Sequence, residues 1–188
     1  MNQTFHKLEE EKKQRILNAA LKEFSEKGFE MASTNEIVRN ARIGKGMLFY
    51  YFNNKQDLFY YLIDYSLNVM TNQFLNRIDV TEPDFIQRMR QIAKIKLDYF
   101  RAHPHINNFI SSVILDDQLS LPKGLQDRLR DLKRKGGEIM YENVDTSLFR
   151  TDIDVNKAFN LIRWAMDGYR QEITSQLQGE NIPELDLD

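Results

Sequence analysis

No cysteine occurs in the 188 residues. Disulfides and thiolate metal sites are therefore excluded, and the chain suits a reducing compartment such as the cytoplasm. Nowhere do about 18 apolar residues run without interruption, so no membrane-spanning helix is expected. The opening stretch MNQTFHKLEEEKKQRI has no apolar core, and no secretory signal is expected from it. Proline is scarce. Pro83, Pro104, Pro122 and Pro183 are spaced as punctuation between helices rather than breaks inside them. No segment alternates strictly between polar and apolar residues, so strands are not expected, and no internal repeat is present. The three histidines, His6, His103 and His105, form no set with a nucleophile and an orienting group, which argues against an enzyme. His103-Pro104-His105 reads as a helix start rather than a metal site, and no cofactor is implied.

What is present is helical periodicity with enough apolar material for a core, since 41% of residues are hydrophobic and 29% are charged. A first helix is predicted from Glu9 to Lys27, with Ile16, Leu17, Ala20, Leu21 and Phe24 on one face. Gly28-Phe29 reads as its stop, with glycine turning left-handed and the aromatic packing back. Ser33-Thr34-Asn35-Glu36 matches a capping box, in which serine and glutamate each satisfy an orphan N–H, so a second helix runs from Ser33 to Ala41. Only Arg42 to Gly44 separate it from a short third helix, Lys45 to Phe52. Asn54 is placed to cap a long fourth helix, Lys55 to Asn76, with Leu58, Leu62, Tyr65, Val69 and Phe74 inward. After a break at Asp79 to Pro83, a fifth helix is expected from Asp84 to Ala102, carrying Phe85, Met89, Ile92, Ala93 and Phe100. The sixth is expected from Pro104 to Leu115, the seventh from Lys123 to Asn143 and the eighth from Asp154 to Gln178. The tail after Gly179 is expected to fray. The fold class is therefore all-α.

Two short helices joined by a three-residue turn and packed on a longer first helix are the ingredients of a DNA-reading helix-turn-helix. Leu48 and Phe52 stand one helical turn apart and anchor the third helix, with Phe49 beside them. That leaves Lys45, Gly46, Met47, Tyr50 and Tyr51 facing outward. Tyrosine hydroxyls bond phosphates, lysine reaches guanine or phosphate, and glycine permits close approach, while Met47 suits thymine methyls. Between Ser33 and Gln56, four basic residues (Arg39, Arg42, Lys45, Lys55) face one acidic residue (Glu36), on a chain whose net charge is −2. A basic patch on an acidic protein is a weak footprint for a polyanion. Arg39 and Arg42 are read as solvated.

The stretch IGKGMLFYYFNNKQDLFYYLI, with ILNAALKEFSEKGFEMASTNEIV before it, resembles the signature of the TetR family of bacterial regulators over Gln14 to Ile63. The resemblance implies that Ser33 and Thr34 touch phosphate and that Lys45 and Gly46 head the recognition helix. It further implies that Tyr50 and Tyr51 contact backbone or bases, and that Lys55 meets phosphate at a helix N-terminus. Two positions depart from the family pattern. Gly44 stands where a hydroxyl residue is usual, so one side-chain cap or phosphate bond is lost, and Phe49 stands where a tyrosine is usual, so its hydroxyl is missing.

The remaining chain carries a broad apolar stripe in the eighth helix: Val155, Ala158, Phe159, Ile162, Ala165, Met166, Tyr169, Ile173 and Leu177. Leu125, Leu129, Leu132, Ile139 and Met140 add another in the seventh, where Gly136-Gly137 would allow close approach or a kink. These two helices are the expected homodimer interface, which the family also implies. The resemblance further implies a cavity for a small apolar or amphipathic effector, with Met70, Phe74, Met89, Ile92, Phe109, Trp164 and Tyr169 as candidate lining. The expected division is a DNA-binding domain at 1–53 and a ligand-binding and dimerisation domain at 54–188. The expected function is a repressor released from a palindromic operator by its effector. The competing reading is a helical ligand-binding or scaffold protein without DNA binding.

Overall fold

The computed structural model describes residues 4–116 and 119–176, and side chains as far as Ala165 in the last helix. Among the described residues it is built of helices and turns, with no strand. The α-helices are α1 (Glu10–Met31), α2 (Thr34–Ala41), α3 (Lys45–Tyr51), α4 (Lys55–Gln73), α5 (Phe85–Ala102), α6 (Pro104–Leu115), α7 (Lys123–Ile139) and α8 (Val155–Gln176). The predicted tail after Gly179 lies outside the described residues. No helix among the described residues is long and apolar enough to cross a membrane.

The chain forms two compact units, Met1–Val144 and Asp145–Asp188. In the first, α1 is the central post and packs against α2, α4 and α6. Its buried face is the predicted stripe, Ile16, Leu17, Ala20, Leu21 and Phe24, with Glu23 added. Gly28 takes φ 69°, the left-handed region where a side chain is strained, but the chain kinks there and regains helix up to Met31 instead of stopping. Phe29 packs back as expected, 5.0 Å from Phe59 and stacked 6.4 Å from Phe24. Phe109 of α6 closes this aromatic cluster, 5.5 Å from Phe59 and 6.4 Å from Phe24.

The α4 helix ends at Gln73 and tightens into a 3-10 turn over Leu75–Arg77, slightly short of the predicted limit. Asp84 caps α5 through Oδ1, which accepts from the N–H groups of Ile86 and Gln87 at 2.8 and 3.0 Å. Its buried residues include Phe85 and Met89, but also Arg88 and Tyr99, which periodicity did not single out. Arg88 is fully buried. Its guanidinium donates to the Val80 carbonyl at 2.9 Å and the Ile139 carbonyl at 3.3 Å, and also to the carbonyls of Glu82 and Glu142. One cation thus ties the turn before α5 to the C-terminal end of α7, where orphan carbonyls and the helix dipole favour positive charge. The α7 helix ends at Ile139, earlier than predicted, and a turn follows in which Asn143 is left-handed at φ 58°. A Cβ placed on Gly136 or Gly137 would meet nothing within 4 Å, so neither glycine is there for close helix approach within this chain.

The second unit opens with a 3-10 turn at Thr146–Leu148 and continues into α8, which Asp154 caps by accepting from the N–H groups of Asn156 and Lys157 at 3.0 and 3.2 Å. Phe149 packs edge-on against Phe159 at 5.2 Å. Leu161 and Trp164 are largely exposed on α8.

Candidate nucleic-acid interface

The interface is assembled from the turn before α2 onward. Ser33 is extended and caps α2, its Oγ accepting from Glu36 N–H at 3.4 Å. The predicted return bond from Glu36 is not made. Glu36 pairs instead with Arg39, and the N–H of Ser33 donates to Glu23 Oε1 at 2.9 Å. A carboxylate on α1 thus does the second half of the capping box. Glu23 is buried, so this bond pins the start of α2 to α1 where water cannot compete. Thr34, the first residue of α2, is half-buried.

Between the helices Arg42 adopts the left-handed conformation, φ 55° and ψ 49°. Its N–H bonds Arg39 O at 3.2 Å and the N–H of Ile43 bonds Val38 O at 3.0 Å, satisfying the last carbonyls of α2. Gly44 then opens α3 with its carbonyl only, accepting from Met47 at 3.0 Å and Leu48 at 3.3 Å, with no side-chain cap. The loss anticipated from the missing hydroxyl residue is therefore seen in the helix cap itself.

Lys45, Gly46, Met47 and Tyr50 are all exposed on α3, Tyr50 by 59%. Leu48 and Phe52 are buried beneath it, as anticipated. Tyr51 is a correction: expected to face outward, it is only 6% exposed. The cause is angular. At 100° per residue, Tyr51 lies within 60° of Leu48, closer than the half-buried Phe49. Its ring packs on Phe5 at 5.5 Å. Phe5 is itself fully buried and contacts Phe52 at 4.8 Å and Tyr61 at 5.5 Å. Burial pushes the pKa of the Tyr61 hydroxyl up to about 12, with smaller contributions from Tyr65 and Glu10.

Lys55 also departs from expectation. Its Nζ donates to the carbonyls of Glu30 and Ala32 at 3.0 and 3.2 Å and sits 4.9 Å above the Phe29 ring. The ammonium satisfies carbonyls at the end of α1 and holds α4 to it, rather than standing free for phosphate. Asn54 caps α4 as predicted, accepting from Asp57 N–H at 2.7 Å. Phe5 and Glu23 are the two residues of this region that sequence reasoning missed. Glu23 left a trace, since it lies on the buried stripe of α1. Phe5, a lone aromatic in a polar stretch, left none.

Of the seven residues named for an effector cavity, the five in the first unit are not gathered in one place. Phe109 belongs to the aromatic core around α1, and Met70 packs on that core at its edge. Phe74 bridges to a second cluster that includes Ile92. Met89 is buried on α5. Trp164, in the second unit, is 61% exposed. The side chain of Tyr169 lies outside the described residues, as do those of Met166, Ile173 and Leu177. Cavities occur elsewhere. One of about 340 Å³ lies where α1 ends and α4 begins, bordered by Phe29, Gln56, Tyr60 and Ser120. Another of about 200 Å³ lies between α4 and α7, bordered by Asn68, Thr71, Arg128 and Lys135.

Comparison with known proteins follows the same outline. Residues 16–62 match the family of bacterial regulatory proteins described as the tetR family. Over 89 residues the chain is 37% identical to an HTH-type transcriptional regulator of Staphylococcus aureus, a match covering 47% of this chain and 45% of that one. It thus spans less than half of that relative's length. It is 27% identical over 154 residues to the HTH-type transcriptional repressor NicS of Pseudomonas putida, covering 78% of this chain and 70% of that one. Among solved structures, the TetR family regulator PfmR of Thermus thermophilus shares the fold, with a TM-score of 0.57, 21% identity and 81% of each chain covered. With a helix-turn-helix at residues 33–52 on the α1 post and these matches around it, residues 16–62 form a helix-turn-helix domain similar to that of the tetR family of bacterial regulatory proteins, on a chain that shares the fold of a TetR family regulator.

Proposed function

We propose that the chain is a sequence-specific DNA-binding transcriptional regulator, working in the cytoplasm as a homodimeric repressor that a small apolar or amphipathic effector releases from a palindromic operator. The observation that carries the DNA-binding reading is the composition of the exposed face of α3: Lys45, Gly46, Met47 and Tyr50. Gly46 adds a detail. A Cβ there would meet nothing within 4 Å, as at Gly44, Gly136 and Gly137, and its φ is not positive, so packing within this chain leaves room for a side chain at that point. A helical glycine costs about 1 kcal/mol relative to alanine. That cost is understandable if backbone must come close to a groove. Ser33 and Thr34 at the start of α2 suit flanking phosphates.

A single seven-residue helix makes few base contacts. Two copies held about 34–36 Å apart would read successive major grooves, which is the reason for a dimer. The exposed Leu161 and Trp164 of α8, and the absence of any fully buried residue on α7, fit an interface that a second copy completes. Residues 1–53 would then read DNA while residues 54–188 dimerise and bind the effector, with α4 as the connector. The coupling need be only about 1–3 kcal/mol to change operator affinity 5- to 150-fold. Repression rests on family likeness, NicS being named a repressor.

The test is selection of bound duplexes from a random pool, repeated at several salt concentrations. An enriched palindrome whose affinity falls steeply with salt is expected, because each neutralised phosphate releases counterions. A folded chain that enriches no duplex contradicts the proposal.

A further inference from the structure

We infer that Phe5, which precedes the helix-turn-helix, is a positioning residue for the DNA-reading face of α3. The inference rests on the DNA-binding reading above and extends it to a segment outside the matched residues 16–62.

The starting point is the weakness of α3. It has seven residues and no side-chain cap at its N-terminus. Isolated helices shorter than about 12–15 residues are marginal in water. What α3 rests on therefore sets its tilt and depth. Its underside is Leu48, Tyr51 and the adjoining Phe52, all buried. Phe5 supplies the ring beneath the C-terminal half of that underside, 5.5 Å from Tyr51 and 4.8 Å from Phe52. On its other side the same ring meets Tyr61 of α4 edge-on at 5.5 Å. One side chain is thus wedged between the helix that carries the exposed face and the helix that follows it.

The contacts continue to the surface. Tyr51 packs at 5.7 Å against Tyr50, the exposed tyrosine of the face. The line Tyr61, Phe5, Tyr51, Tyr50 leads from α4 to the groove-facing surface through successive ring contacts. The wedge is itself held in place. Lys7 N–H bonds Thr4 O and Leu8 N–H bonds Phe5 O, both at 3.3 Å, folding the segment into a turn before α1. His6 adds a contact with Tyr61 at 6.1 Å.

A ring that merely filled space would, when trimmed, weaken folding and every kind of DNA binding together. A ring that sets the tilt of α3 does something different. Phosphate contacts and charge supply affinity for any duplex, while base contacts supply discrimination and tolerate little displacement. Loss of Phe5 should therefore erode discrimination first.

The experiment compares the full chain with Phe5→Ala and Phe5→Leu. Each is titrated against a duplex recovered by the wild-type chain from a random pool and against a scrambled duplex of equal length, with helicity checked by circular dichroism. The specific-to-scrambled affinity ratio of Phe5→Ala is expected to fall at least about tenfold, the scale of one lost base contact. Scrambled binding should stay within about twofold. Phe5→Leu, which keeps apolar volume but loses the ring, should fall between. If Phe5→Ala does not fold, Phe5→Leu decides alone. An unchanged ratio overturns the inference, and so does an equal loss on both duplexes. A wild-type chain that recovers no duplex removes the DNA-binding reading itself and the inference with it, whereas wild-type recovery with an unchanged Phe5→Leu ratio overturns only the inference.

Discussion

The two ends of this chain bury their apolar residues in different ways. Around α1 the stripe Ile16, Leu17, Ala20, Leu21 and Phe24 is at most 1% exposed, and Phe5, Leu48 and Phe52 close over the neighbouring face. On α7 no residue is fully buried, and α8 leaves Leu161 and Trp164 more than 60% exposed. Both ends show clear helical periodicity. The contrast teaches that an amphipathic stripe says a face will be covered but not by what. The head finds its cover within one copy of the chain. The far helices cover theirs only in part: Leu125, Leu129 and Leu132 pack half-buried on the first core, Val155, Ala158 and Ile162 are half-buried, and Leu161 and Trp164 stand exposed beside the α8 stripe, which is the basis for proposing that a second copy supplies further cover.

The contrast can be broken most forcefully in the head. Phe24 meets Phe29, Phe59 and Phe109 and is fully buried. Phe24→Ala should cost about 3–5 kcal/mol of stability by denaturant unfolding, whatever the protein concentration. Trp164→Ala sharpens the other side. At high dilution it should change stability by no more than about 0.5 kcal/mol, as an exposed residue. At concentrations where copies associate, it should weaken association by about 2 kcal/mol, read by sedimentation. If it instead destabilises the chain equally at both concentrations, α8 is covered by its own chain and the contrast fails.

Smaller effects probe how the head is pinned. Glu23→Ala leaves the Ser33 N–H without its acceptor and should cost about 1–2 kcal/mol, whereas Glu23→Gln, which keeps a carbonyl oxygen in place, should cost less. Arg42→Gly should stabilise the fold by about 1 kcal/mol, because the left-handed conformation at φ 55° strains a side-chain-bearing residue. Thermal unfolding at fixed concentration measures both.

Much of the head was legible in sequence for local reasons. Helical period placed the α1 stripe, and Ser33, Asn54 and Gly28 marked boundaries, because capping and turn chemistry act over a few residues. Gly28 shows the limit of such reading: its left-handed turn was foreseen, but not that the chain would regain helix beyond it. Tyr51 was readable too, since its angle on α3 puts it beside Leu48. The illegible parts are tertiary. The acceptor of the Ser33 N–H comes from ten residues back, and the carbonyls that hold Lys55 from more than twenty back. Arg88 is buried although charged, because carbonyls from the turn just before α5 and from the distant end of α7 converge on it. Phe5 had no periodic neighbours to announce it. The proposed effector cavity was drawn from residue type alone, and Met70, Met89, Phe109 and Trp164 turn out to sit in different surroundings.

The most direct test of the central claim uses the two adjacent tyrosines of α3, one 59% and one 6% exposed. Affinity for a duplex selected by the wild-type chain would be measured for Lys45→Ala, Tyr50→Ala and Tyr51→Phe across a range of salt. If the exposed face reads DNA, Lys45→Ala and Tyr50→Ala each lose about 1–3 kcal/mol, and the salt slope of Lys45→Ala drops by about 1 if it contacts phosphate. Tyr51→Phe, whose ring faces inward, should bind as the wild type does. Normal binding by both alanine variants would contradict the account and place the reading surface elsewhere.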